Sequence, residues 1–428
     1  MIGKQIVSSD RREKQFNALD YLKITVLGFA LTALWSSLHG IILPIRLLAY
    51  IPESQKNTYL GLLTFTGLIL AMIIQPIAGA FSDHTSSRWG RRRPYILLGS
   101  VLSIVLLPGI GLANTYMAIL IAYCLLQIAS NTAQASYQAF IPEIIPDNKR
   151  GLASGVKSLL EVLGGVIMVR LTAYLMGHYF EGGGEFWMWT ALSALVIVLL
   201  AAMIITVLTI KELPSTNNTR LSFATMYRRF KIDFKVHRDF GWFLFSRALL
   251  GIPGVVLQIF ALYYLTDMVG IPNPASVAGD LLVVVGVCLL ATAYPAGRLS
   301  DRVGRKPIVI SSGIIGAMGI LALFFSRNYV QIMLSGAILG VANGALLSAG
   351  WALAADLSVK GEEAKYMGIT NLAMAGGSAL GRLVGPVIDF FNGFRQGAGY
   401  QVMLLVCFIS FIAGAVLIVK VKSTRLRS

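Results

Sequence analysis

A few charged and amide side chains interrupt otherwise apolar stretches of this sequence, at spacings that admit chemistry. Gln127, Asn131, Gln134 and Gln138 follow one another at intervals of four, three and four, on one face of a helix. Such a face cannot point at lipid without leaving amides unpaired, so it looks into a wet cavity or at another helix. Amides donate and accept, which suits a hydroxyl-rich ligand better than an ion; plain glue between helices is the competing reading. Lys157 and Glu161 lie four apart, close enough on one helix face to neutralise each other. Arg170, Arg247, Arg382 and Asp389 also fall in or near apolar runs. A charge at the bilayer centre costs roughly 2.5–3.5 kcal/mol on insertion scales. Each therefore pairs between helices, snorkels to the interface, or serves a function.

Other polar faces accompany these. Thr32, Trp35 and His39 share a face just before Gly40 and Pro44, which loosen a helix. Arg247, Gly251, Gly254 and Gln258 make a second stripe, followed by Tyr263 and Tyr264. Asn343 and Trp351 stand in one later run, Asn371 and Ser378 in the next. Aromatic faces beside amides hold sugar rings, although Trp and Tyr at the ends of apolar runs also anchor the interface. Trp35, His39, the four amides from Gln127 to Gln138, Arg247, Gln258, Asn343 and Asn371 are the candidate substrate-binding residues.

The positioning elements follow from composition. The chain has 428 residues, 56% hydrophobic and 13% charged, with mean hydropathy +0.72; soluble domains carry about 25% charged residues. Apolar runs near the length needed to cross about 30 Å of hydrocarbon recur along it. Twelve spans are expected: 22–44, 58–81, 95–113, 116–140, 152–178, 186–210, 241–267, 276–297, 307–325, 329–354, 365–391 and 399–420. The fold class expected is all-α integral membrane, as two six-helix bundles, 1–210 and 241–428, around a central loop at 211–240. That polar, basic loop holds the triplet Asn217-Asn218-Thr219, a formal glycosylation signal expected to stay unused on the cytoplasmic side.

A charge of +16 raises the question of nucleic acid, but the Lys and Arg lie mostly in short loops between spans. Only Arg46, Lys56, Arg327 and Arg395 lie in the opposite loops, so the positive-inside bias puts both termini in the cytoplasm. The first 20 residues lack an apolar core and read as a cytosolic tail rather than a signal peptide. Cys124, Cys288 and Cys407 lie within apolar runs and read as small hydrophobes. There is no P-loop, no Cys/His metal spacing and no Gly-x-Ser-x-Gly, so neither enzyme activity nor a cofactor or metal is expected and transport must run on a gradient.

Two turns repeat. Gly79-Ala80-Phe81-Ser82-Asp83 leads to Gly90-Arg91-Arg92-Arg93-Pro94, and Gly297-Arg298-Leu299-Ser300-Asp301 leads to Gly304-Arg305-Lys306-Pro307. Asp83 and Asp301 are 218 positions apart, about half the chain. Ile141-Pro142-Glu143 to Gly155 matches Ala354-Ala355-Asp356 to Gly368 at a similar offset. Parallel repeats about an axis along the membrane normal are a known transporter plan, with the solute held at mid-membrane between rocking halves. Gly336, Gly340 and Gly344, and Gly377, Gly381 and Gly385, form small-residue faces for close helix packing.

Twelve spans, a central loop and the paired turns resemble the major facilitator superfamily over essentially the whole chain. The longer run Ser82-Asp83-His84-Thr85-Ser86-Ser87-Arg88-Trp89-Gly90-Arg91-Arg92-Arg93-Pro94 is similar to the branch of plant sucrose carriers and glycoside–cation symporters. His39-Gly40-Ile41-Ile42-Leu43-Pro44 and Leu262-Tyr263-Tyr264-Leu265-Thr266-Asp267 resemble that branch's bacterial members. The resemblance implies gating roles: Asp83 and Asp301 facing the basic residues of their own turns, Glu143 pairing with Arg91–Arg93, and Asp356 with Arg305. Such pairs would latch the cytoplasmic side in the outward-open state and break on inward opening.

The sequence also departs from the family. His84 stands where the turn usually has Arg or Lys, and the sugar-porter Pro-Glu-Ser-Pro-Arg run is replaced by Lys211-Glu212-Leu213-Pro214-Ser215-Thr216. Proton-coupled sucrose carriers have an acid within the fourth span, where this chain has only amides. Glu161, beside Lys157, is the substitute coupling group, with Arg382 as a third coupling candidate. The expected protein is a cell-membrane secondary transporter moving a sugar or glycoside with a cation, the proton being favoured, as a monomer in the lipid bilayer without nucleic acid. Its rivals are a drug or metabolite efflux antiporter and a non-transporting sensor on the same scaffold.

Overall fold

Each apolar run is helical because the backbone in hydrocarbon must satisfy its own hydrogen bonds. The computed structural model describes residues 17–85, 87, 89–146, 149–210, 237–359 and 362–422, and these contain helices and no strand. In order they are α1 (Leu19–Leu47), α2 (Glu53–His84), α3 (Arg93–Leu112), α4 (Tyr116–Ile144), α5 (Arg150–Phe180) and α6 (Glu185–Thr209). Then follow α7 (Arg238–Val269), α8 (Pro274–Val303), α9 (Arg305–Phe325), α10 (Tyr329–Asp356), α11 in two segments (Glu363–Arg382 and Val384–Asn392) and α12 (Ala398–Val419).

All of these except α11 are long and apolar enough to cross a membrane; α11, expected as one span over 365–391, is more polar and breaks at Leu383. The expected loop over 211–240 falls on residues 211–236, outside those described, and α7 already begins at Arg238. The glycosylation triplet, residues 1–16 and residues 423–428 also lie outside the described residues.

Local chemistry sets several helix starts. The Thr115 hydroxyl accepts from Ala118 N (3.2 Å), and the Asn273 and Asn328 carbonyl oxygens accept from Ser276 N and Gln331 N (3.1 and 3.0 Å). These satisfy amides that have no partner inside the helix. The repeated turns need their glycines: Gly90 and Gly304 sit at φ +101° and +98°, a region closed to L side chains.

The packing shows the pseudo-twofold. In the first half α1 packs on α5 and α6, α4 on α2 and α3, and α3 on α6. In the second half α7 packs on α11 and α12, α10 on α8 and α9, and α9 on α12. Glycines seat equivalent crossings: a Cβ on Gly164 of α5 would strike the Phe29 backbone of α1, and one on Gly377 of α11 the Ala248 backbone of α7. The halves meet along α5–α8 and α2–α11, themselves a symmetric pair, and where the π-helical turn Leu38–Ile42 of α1 crosses α7. A second π-helical turn, Leu265–Val269, ends α7.

Candidate functional site

At mid-depth the first half presents a connected polar wall. Trp35 stacks on His39 at 5.3 Å between ring centres, tilted 27°, and meets Tyr123 edge-on at 5.8 Å. His39 Nε2 lies 2.8 Å from the Tyr123 hydroxyl, and Gln127 Nε2 donates to that same oxygen at 2.8 Å. Asn131 Nδ2 donates to Gln127 Oε1 (2.8 Å), and Gln75 Nε2 donates to Asn131 Oδ1 (2.7 Å). Gln127 and His39 thus meet on one phenol oxygen, and the direction of the His39 bond follows the imidazole tautomer.

The π-helical turn at Leu38–Ile42 begins where His39 must reach α4, and such bulges in helices mark functional sites. Gln127 and Asn131 are buried, Gln134 is half-buried and Gln138 exposed, so the upper part of the amide stripe builds the wall and the lower part runs out toward the face where α1 begins. Sequence reasoning missed two members. Tyr123 is one helical turn before Gln127 and extends the stripe, a signal that was there to read. Gln75, a lone amide before Pro76 in α2, shows its partner only in the fold.

The second half contributes cations. Arg247 on α7 donates from Nη1 to Leu346 O (3.1 Å) and lies 5.7 Å from the Trp351 ring. Arg382, at the end of the first segment of α11, donates to Ser378 O (3.0 Å) and stands within electrostatic reach of Tyr123 and His39. Asn343 spends its amide donor on Leu339 O (2.9 Å), Gln258 is half-buried near the crossing with Gly40, and Asn371 is exposed about three turns below Arg382.

The three coupling candidates are not gathered. Lys157 Nζ lies 3.6 Å from Glu161 Oε1, and the pair sits against Tyr137, whose ring the lysine faces at 5.6 Å. Tyr137 is ten residues along α4 from Gln127, about 15 Å, while Arg382 lies on α11 of the other half. Arg170 and Asp389 follow the bland reading: Arg170 pairs with Asp280 (2.8 Å), and Asp389 accepts from Asn57 Nδ2 (2.8 Å) and Thr58 N (2.6 Å).

The gating candidates form most of their expected pairs. Arg92 contacts Asp83 and reaches Glu143 (2.5 Å), Arg91 reaches Glu143 (2.8 Å), and Arg305 reaches Asp356 (2.6 Å). Each of these pairs joins elements of one half. Asp301 is exposed and makes no ion pair among the described residues. Ties between the halves lie at the opposite face: Lys56 to Asp267 (2.7 Å), Asn57 to Tyr400 (3.2 Å), and the Asn57–Asp389 bond.

A two-bundle helical carrier with a polar mid-membrane site defines the class: a multi-pass membrane transporter of the major facilitator type, not an enzyme. Residues 28–421 match the family described as MFS/sugar transport protein, and the chain belongs to it. A lactose permease of Leuconostoc lactis is 26% identical over 314 residues, 68% of this chain and 48% of that protein, so the chain spans about half the length of this relative. The multidrug resistance protein MdtG of Klebsiella pneumoniae is 26% identical over 380 residues, 87% of this chain and 88% of its own. A D-xylose–proton symporter of known structure superposes with TM-score 0.71 at 17% identity, covering 95% of this chain and 98% of that one, which speaks to the fold alone.

Proposed function

We propose that this chain carries a sugar or glycoside across the cell membrane together with a cation, the proton, by alternating access. The halves 1–210 and 241–428 rock about the central wall, and both termini lie in the cytoplasm. The observation that carries this reading is the continuous bond chain His39–Tyr123–Gln127–Asn131–Gln75 beside the Trp35 face. Fixed amides and an indole face match hydroxyls and the apolar face of a pyranose, and leave little for a purely hydrophobic solute. Lactose permeases among the relatives agree with it. The efflux reading draws on the nearly full-length match to a multidrug resistance protein, and would require a larger apolar cavity.

Counterflow in proteoliposomes separates the two. Labelled mono- and disaccharides should exchange and lipophilic cations should not; exchange of the lipophilic cations alone would replace this reading with efflux. Glu161→Gln tests the coupling. It should abolish accumulation against a gradient while leaving counterflow, and undiminished accumulation would remove Glu161 from the proton path.

A further inference from the structure

A stripe on the outside of α8 carries two arginines that the rest of the protein does not use. Toward α10 the helix presents Leu281, Val285 and Leu289, against which Gly336, Gly340 and Gly344 are seated. Toward α5 it presents Gly279 and Gly286, met by Ala173 and Val166. Val287 lies off both faces and is 54% exposed, as a lipid-facing residue is. Tyr294, Arg298 and Arg302 follow it at intervals of seven, four and four. One outward stripe therefore passes from apolar to aromatic to basic as it nears the rim of the repeated turns.

With Pro295 and Leu299 these three side chains line an open cleft of about 440 Å³, within the roughly 300–1,000 Å³ of small-ligand sites. All five are exposed. Neither arginine makes an ion pair or hydrogen bond among the described residues, and Asp301, next to Arg302, does not line the cleft. Like charges four apart on a helix repel unless an anion lies between them. Other cations of this rim are committed: Arg92 to Glu143, Arg305 to Asp356, and Lys306 to the Val419 and Val421 carbonyls.

The turn itself does not need this pair. At the offset that carries Asp83 onto Asp301, Gly79 and Ser82 recur as Gly297 and Ser300, yet Ala80 and His84 stand where α8 has Arg298 and Arg302. The repeat thus supplies its own control: one half makes the turn without the basic stripe.

We propose that this stripe seats the headgroup of an anionic phospholipid, with its phosphate between Arg298 and Arg302, its glycerol beside Tyr294 and an acyl chain along Val287. A guanidinium fork takes phosphate oxygens in two parallel bonds, and basic pockets at the cytoplasmic ends of membrane helices take such headgroups. A soluble phosphate has no chain to follow the apolar part of the stripe. The solute path is not involved, because α8 meets Gly40 of α1 through Leu282, on another face of the helix. Only the choice of leaflet rests on the carrier reading above, whose topology puts this rim in the cytoplasm.

The test uses the purified full chain in detergent, with dioleoyl phosphatidylglycerol, dioleoyl phosphatidylcholine and glycerol 3-phosphate as probes. Native mass spectrometry counts the lipid retained, and thermal shift reads its effect on the fold. Phosphatidylglycerol should be retained, and should raise the melting point, at concentrations lower than phosphatidylcholine needs by about tenfold or more. The double variant Arg298→Gln, Arg302→Gln should lose that advantage, with its lipid-free melting point equal to the wild type because neither side chain touches the protein. The double variant Arg238→Gln, Lys422→Gln removes the same charge from exposed positions of the same rim and should retain phosphatidylglycerol as the wild type does.

Equal retention of the two lipids overturns the inference, as does undiminished retention by the Arg298/Arg302 variant or a lowered lipid-free melting point in it. An equal loss in the Arg238/Lys422 variant would reduce the site to diffuse attraction and overturn it too. Displacement of the lipid by glycerol 3-phosphate at matching concentration would make this a site for soluble phosphates instead. Retention is measured without transport, so a failure of sugar counterflow would remove the carrier reading and leave this one standing.

Discussion

The two rims of this carrier are built from the same kinds of residue but wired differently. On the rim that carries the repeated turns, Arg92 ties Asp83 and Glu143, and Arg305 ties Asp356, each inside one half. On the opposite rim, Lys56 holds Asp267, Asn57 and Thr58 hold Asp389, and Asn57 also donates to the Tyr400 hydroxyl (3.2 Å), joining α2 of one half to α7, α11 and α12 of the other. A tie within a rigid unit braces it; a tie between two units sets which mouth is shut. The bonds Lys56–Asp267, Asn57–Asp389 and Thr58–Asp389, which cross between the halves, all lie at the far rim.

The sharpest test removes Asp267. Lys56 is 4% exposed in its side chain and Asp267 14%, so the pair is close to fully desolvated. Removing one partner of such a pair costs roughly 3–5 kcal/mol, here charged to the far-closed state. With spin labels at Ser54→Cys and Gln396→Cys, Asp267→Asn should lengthen the distance between the halves in most molecules, and an unchanged distribution would break the comparison. Arg92→Ala should act differently. It strips hydrogen bonds from Ser82 and Glu143 within one half and should cost about 1–3 kcal/mol of stability, the range for a buried polar group left unpaired. The melting point should fall while the far-rim distance stays the same; movement of that distance would mean the two rims are not separable.

Asp83→Asn probes the same rim more gently. It should slow uptake by up to about tenfold, equivalent to ~1.4 kcal/mol on the barrier, with insertion and substrate affinity unchanged. A wild-type rate would reduce the turn to a topology marker. The smallest effect belongs to Lys365→Ala, whose partner Glu362 is 51% exposed. A surface pair contributes about 0–1 kcal/mol, so transport and melting point should both stay within error of the wild type.

Sequence alone determined the helices and much of the plan. Apolar runs of membrane length leave the backbone no alternative to the helix, and the repeated turns announced the two halves because Gly90 and Gly304 occupy a φ that only glycine adopts readily. The Gln127–Gln138 stripe was readable because helical periodicity is local, and so was the Lys157–Glu161 pair. Tertiary structure alone decided what depends on which residues of distant helices meet. Among the described residues it added Gln75 to the wall, gave Lys56 to Asp267, left Arg247 and Arg382 without acids, and put bonds between the halves at the far rim. A side chain's own helix fixes the direction in which it points, but the partner at the end of that direction comes from packing across residues hundreds of positions away.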